Sequence, residues 1–84
     1  MKVSYTKFVT VDAKETDTIG KFKYLVAMLC GGTMENPEVF YRDYQIINAD
    51  NDEEARNKYN ELNNCSYFYG DVVVRLDTLN LFHD

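Results

Sequence analysis

Three sets of side chains in this 84-residue chain could do chemistry: the thiols of Cys30 and Cys65, the imidazole of His83, and the carboxylates of Asp50, Asp52, Glu53 and Glu54. A nucleophilic thiol needs a nearby base and a lowered pKa. Cys30 lies inside an apolar run and Cys65 follows Asn63-Asn64 with no basic neighbour, so both read as packing residues. His83 is the only histidine and stands next to the last residue, with no neighbour that would hold it as an acid or base. Zinc requires closely spaced Cys and His ligands, which two distant cysteines and a terminal histidine do not supply. A calcium loop needs a glycine at its turn and a closing glutamate, and neither falls in register with Asp50–Glu54. Gly31-Gly32 belongs to no phosphate-binding or nucleophile-elbow pattern. The expectation is a chain that is not an enzyme, with no catalytic residue, metal or cofactor.

The acids have a simpler explanation. Asp50 precedes a helix-periodic run, and its carboxylate can accept from the free N–H groups of the first turn. Glu53 occupies the reciprocal position of a capping box. Asp52, Glu53 and Glu54 put negative charge where the helix dipole is positive, and Arg56 and Lys58 follow. Ala55, Tyr59 and Leu62 form a narrow apolar stripe, and Asn63-Asn64 can end the helix. The reading is a helix from Asp50 to Leu62. So short a helix is marginal alone in water and must lie on a sheet.

The sheet is supplied by runs with period two. Lys2–Val11 alternates and reads as one strand with edge character at Lys7; the polar stretch Asp12–Gly20 reads as a loop. Lys21–Cys30 is apolar on both sides, fits a strand or a helix, and is taken as a central strand because the helix needs a wide sheet to cover it. Val39–Ala49 is a third strand. Here strict alternation puts Phe40, Arg42, Tyr44 and Ile46 on one face, and Val39, Tyr41, Asp43, Gln45, Ile47 and Ala49 on the other. Cys65–Leu76 is a fourth strand, with Phe68, Val72, Val74 and Leu76 on its inward face, and Gly70 marks a bulge or a close backbone approach. The tail Asp77–Asp84 carries Leu79, Leu81 and Phe82 and is expected to pack on its own domain or on a partner. The expected class is therefore α+β: one domain over 1–84, a small mixed or antiparallel sheet in the order β-β-β-α-β with one short helix on a face. A helix at 21–30 is the variant, giving β-α-β-α-β.

Charge narrows the function classes. The net charge is −5, and it is uneven: Met1–Met34 carries five Lys and three acids, whereas Glu35–Asp84 carries four cations and eleven acids. Such a balance disfavours direct binding to nucleic acid or to an anionic membrane. The first residues hold no apolar signal-like run, and the run Tyr24–Cys30 is too short to span a bilayer. The expected location is cytoplasmic, with reduced cysteines.

The aromatic content, 7 Tyr and 5 Phe, is the remaining feature. Phe40-Tyr41-Arg42-Asp43-Tyr44 and Tyr67-Phe68-Tyr69 place aromatics on both sides of their strands. Base stacking would suit them, but the acidic charge and the lack of an RNA-recognition signature oppose it. A protein interface suits Tyr and Arg better. In size, acidity and lack of catalytic groups the chain is similar to small phage-encoded inhibitors of host defence, including anti-CRISPR proteins; the likeness covers no motif and assigns no residue. The expected function is a small acidic protein-binding module that occludes a basic or nucleic-acid-binding surface of another protein. The candidate partner-binding residues are Tyr41, Asp43, Asp52, Glu53, Glu54, Tyr67 and Tyr69. The second reading is a homo-oligomeric accessory or small-ligand-binding domain; the third, an enzyme, would need a cleft of acids with perturbed pKa.

Overall fold

Two long strands form the centre of the molecule. The computed structural model describes residues 1–6, 8–35, 37–64 and 70–77. The elements are β1 (Lys2–Ser4), β2 (Thr10–Asp12), β3 (Lys14–Glu15), β4 (Phe22–Gly31), β5 (Val39–Ala49), α1 (Asp52–Leu62) and β6 (Gly70–Arg75). Strands β3-β5-β4-β6 form a mixed sheet in which only β3 runs parallel to its neighbour, and β1 and β2 form a separate antiparallel ribbon. The fold is α+β, with one helix and two more short strands than the sequence suggested among the described residues.

The 21–30 run is a central strand, flanked by β5 and β6. Both of its sides are covered, which is why its residues show no clean alternation. Tyr24, Val26, Ile47 and Ala49 pack with Ala55 and Tyr59 of the helix. Leu25 and Ile46 pack on the opposite face with Ala13, Val3, Tyr5 and Val11. The layers are thus helix, sheet and ribbon. Full burial of Leu25, Val26 and Ile47 is worth about 1.5–3 kcal/mol for each side chain.

Four local readings change. Lys2–Val11 is not one strand: it folds into a hairpin in which Thr6 Oγ1 accepts from the N–H groups of Phe8 and Val9 at 3.2 and 3.1 Å. The turn uses a threonine hydroxyl, where glycine or asparagine is the usual signal. The loop 12–20 contains β3, an edge strand on Gln45 and Ile46. The helix cap is Asn51, whose Oδ1 accepts from Glu54 N–H at 2.8 Å. Asp50 instead accepts from the backbone of Lys21 at 3.0 Å.

The fourth change is the phase of two strands. Val26 pairs with Gln45 and Met28 with Arg42, so β5 holds an extra residue there. Asp43, at φ 54°, is in the left-handed region that bulges use and that Asp tolerates. A second shift falls between Leu25 and Val26 against β6. It sends Val72 to the helix side while Val73 and Val74 pack on the ribbon side. Gly70 is the expected close approach: a Cβ there would sit 2.7 Å from both Tyr59 Cδ1 and Asn60 Oδ1.

Candidate partner-binding surface

The helix runs back along β5, and this direction decides which candidate residues meet. Lys58 Nζ reaches the Asn48 carbonyl at 3.1 Å, Tyr59 Oη donates to the Asp43 carbonyl at 2.8 Å, and Asn63 exchanges two amide hydrogen bonds with Gln45. The first turn of α1 therefore lies beside Ala49 and its last turn beside Asp43. An 11-residue helix is about 16 Å long. Asp52, Glu53 and Glu54 stand at one end of that length, and Tyr41 and Asp43 toward the other. The five described candidates do not form one patch. Tyr67 and Tyr69 lie outside the described residues, as do Cys65, His83 and the tail.

Each described candidate has its own surroundings. Tyr41 is half-buried rather than outward, and its hydroxyl donates to Asp71 Oδ2 at 3.1 Å. Asp71 also accepts from Arg56 Nη2 at 3.3 Å. Burial, then the bond to Asp71 and its charge, raise the Tyr41 pKa above the ordinary tyrosine value. Asp43 is the bulge residue, and its carboxylate faces Arg42 at 3.6 Å. Glu54 pairs with Lys58 at 2.6 Å across one helical turn. Asp52 is exposed and lies near the buried Tyr24; burial of that tyrosine, then the charge of Asp52, raise the Tyr24 pKa. Glu53 alone is exposed with no hydrogen bond or ion pair among the described residues.

The cations of the acidic half are all occupied. Arg42 pairs with Asp43, Arg56 with Asp71, Lys58 with Glu54 and Arg75 with Asp77, at 3.6, 3.3, 2.6 and 3.7 Å. Arg75 also stacks on the Phe22 ring at 3.5 Å. Glu35, Glu38, Asp50, Asp52, Glu53 and Glu61 are left exposed and without a cation among the described residues. Three of these, Asp50, Asp52 and Glu53, gather at the start of α1.

Sequence reasoning missed the loop that borders this acidic end. Thr16 Oγ1 donates to the Ile46 carbonyl at 2.7 Å, and Asn48 donates its N–H and its amide to Thr18 at 2.7 and 3.0 Å. Lys58 Nζ donates to the Ile19 carbonyl. Gly20 lies so close on Ala49 that a Cβ would collide with its backbone. The loop is pinned along its length, yet the Ile19 side chain is 86% exposed. No signal for this could be read from a polar stretch with one isoleucine.

On the ribbon side of the sheet the aromatics cluster. Tyr44 lies 6.4 Å from Tyr5 and 6.3 Å from Tyr41, ring centre to ring centre. Burial, then the neighbouring Tyr5, pushes the Tyr44 pKa up to about 12. Two open depressions flank β3; the larger, about 710 Å³, is mainly polar and is lined by Met1, Asp12, Lys14, Asp43, Tyr44 and Asn63, among others. No group of three His, Cys, Asp or Glu among the described residues is arranged to hold a metal ion. No described helix is long and apolar enough to cross a membrane. No family model matches the chain, and no curated protein or solved structure matches it either.

Proposed function

We propose that the chain is a small acidic binding module that engages a basic protein surface through the start of α1 and the adjoining loop. The observation that supports this is the pairing of all four cations of the acidic half, which leaves Asp50, Asp52 and Glu53 un-neutralised beside the exposed Ile19. An apolar side chain on a preorganised loop, rimmed by charge, loses little entropy on docking and steers a basic partner by its field. The contact residues are Asp52 and Glu53 with Ile19. Glu54 acts through its bond to Lys58, and Tyr41 and Asp43 belong to the packing of the sheet. A partner that itself binds nucleic acid has the required basic surface, and occluding it would make the chain an inhibitor of the phage-encoded, anti-defence kind.

The test is capture of a partner from lysate of the native host at low salt. Bound protein should elute as salt rises, compete with nucleic acid, and be lost with Asp52→Lys/Glu53→Lys more than with Tyr67→Ala. Salt-insensitive capture, or capture indifferent to Glu53, would contradict the proposal.

A further inference from the structure

The outer edge of β5 is open over half of its length. β3 pairs only with Gln45 and Ile46, so among the described residues no strand lies beside Val39–Asp43 on that side. An unpaired edge is a template for another strand. This one is apolar: Val39 is 61% and Phe40 45% exposed, with Leu29 beside them on β4 also partly open. Its charge order is self-complementary. In an antiparallel pair centred on Tyr41, Phe40 of one chain faces Arg42 of the other, and Glu38 stands diagonal to the same Arg42. Val39 then faces Asp43, and the two Tyr41 residues meet on the two-fold axis. An isologous contact uses each such pair twice.

We propose that two copies of the chain associate by antiparallel pairing of their β5 edges over Val39–Asp43, which makes one continuous eight-stranded sheet. The bulge at Asp43 ends the regular edge and fixes the length of the paired segment. Phe40 and Arg42 form the central contact on one face, because a guanidinium over an aromatic ring is attractive, and Arg42 with Glu38 fixes the register. Five residues per chain bury far less than the roughly 1,200–2,000 Å² of a stable interface, so the dimer is weak and concentration-dependent. It leaves the start of α1 free, because that end of β5 is at Ala49.

Sedimentation and amide hydrogen exchange across a hundredfold range of concentration test this. The weight-average mass should rise from 9.8 kDa toward twice that value. Amide protection should rise with it in the segment 39–43 alone. Arg42→Glu should weaken association about tenfold, from two lost charge contacts, and the swap Glu38→Arg/Arg42→Glu should recover most of it, with an unchanged thermal midpoint as the sign of an intact fold. A mass that stays at 9.8 kDa at the highest concentration overturns the proposal. So does a dimer indifferent to Arg42→Glu, or one whose new protection falls on α1 or β6. Loss of partner capture through Asp52 and Glu53 would leave these outcomes unchanged, so the two proposals stand or fall separately.

Discussion

Tyr41 and Tyr44 lie on the same face of the sheet, with ring centres 6.3 Å apart, although strict strand alternation would put them on opposite faces. The cause is Asp43, whose left-handed backbone inserts one extra residue into β5 between them. Its carbonyl accepts from Tyr59, so the helix holds the bulge in place. The result is a chain of contacts from Tyr5 through Tyr44 and Tyr41 to Asp71 and Arg56. It joins the ribbon, both outer parts of the sheet and the helix.

That cluster gives a pH prediction. The Tyr44 pKa is raised to about 12 in the folded state, and that of Tyr41 is also raised. The neutral phenol is the form that the fold favours. Its contribution is complete below the ordinary tyrosine value near 10 and is lost as pH rises from there through about 12, since the unfolded chain releases its protons first. Ultraviolet titration should show at least one tyrosine ionising well above the rest, and urea midpoints should fall across the same interval. A single titration of all tyrosines near pH 10 would contradict this.

Removing one hydroxyl tests the link to the edge strand. Tyr41→Phe loses the bond to Asp71 and leaves that carboxylate with Arg56 alone. The expected cost is about 1 kcal/mol in denaturant unfolding. Combined with Arg56→Met, the loss should exceed the sum of the single changes, because Asp71 is then left with neither donor.

The helix start separates two neighbouring residues. Asn51→Ala should cost about 1 kcal/mol through the lost cap. Asp50→Ala should leave helix fraying unchanged and raise hydrogen exchange at Lys21, whose N–H it holds. Equal fraying in both variants, read by amide exchange in residues 53–55, would place the cap at Asp50 instead.

Gly70 tests the seating of the helix. A Cβ at this position meets Tyr59 Cδ1 and Asn60 Oδ1 at 2.7 Å, and the fully buried Tyr59 ring has nowhere to move. Gly70→Ala should destabilise by about 1–3 kcal/mol, read as a lowered thermal midpoint. Gly32, whose added Cβ meets only Val39 Cγ2 at 3.6 Å, should be less sensitive to packing and should respond to its positive φ alone.

The parts of the fold legible in the sequence are those where one force acts. Val39–Ala49 and the helix were readable because apolar period and capping acids agree over many residues. The 21–30 strand was readable only through the sheet that the helix required. The β1–β2 hairpin was hidden because alternation continues across a turn made by a threonine hydroxyl. The bulges at Asp43 and near Val73 were hidden because a single inserted residue leaves no mark on composition, yet it reverses every face assignment beyond it. For the candidate surface, the acids Asp52 and Glu53 could be read directly. Ile19 could not, because its exposure follows from hydrogen bonds made by Thr16, Thr18 and Lys58 across the sheet.

The most direct measurement is the salt dependence of partner capture for matched charge variants. Asp52→Lys/Glu53→Lys and Glu35→Lys/Glu61→Lys change the net charge equally but at different places, since Glu35 precedes β5 and Glu61 lies in the last turn of α1. Glu53→Lys alone serves as the cleanest single change, because the Glu53 side chain makes no hydrogen bond or ion pair among the described residues. The predicted result is loss of binding by tenfold or more, about 1.4 kcal/mol, for the first pair and for Glu53→Lys, near-normal binding for the second pair, and elution of the parent complex as salt is raised. Equal losses from both pairs would show that only overall charge matters, and undiminished binding by Glu53→Lys at any salt would contradict the account.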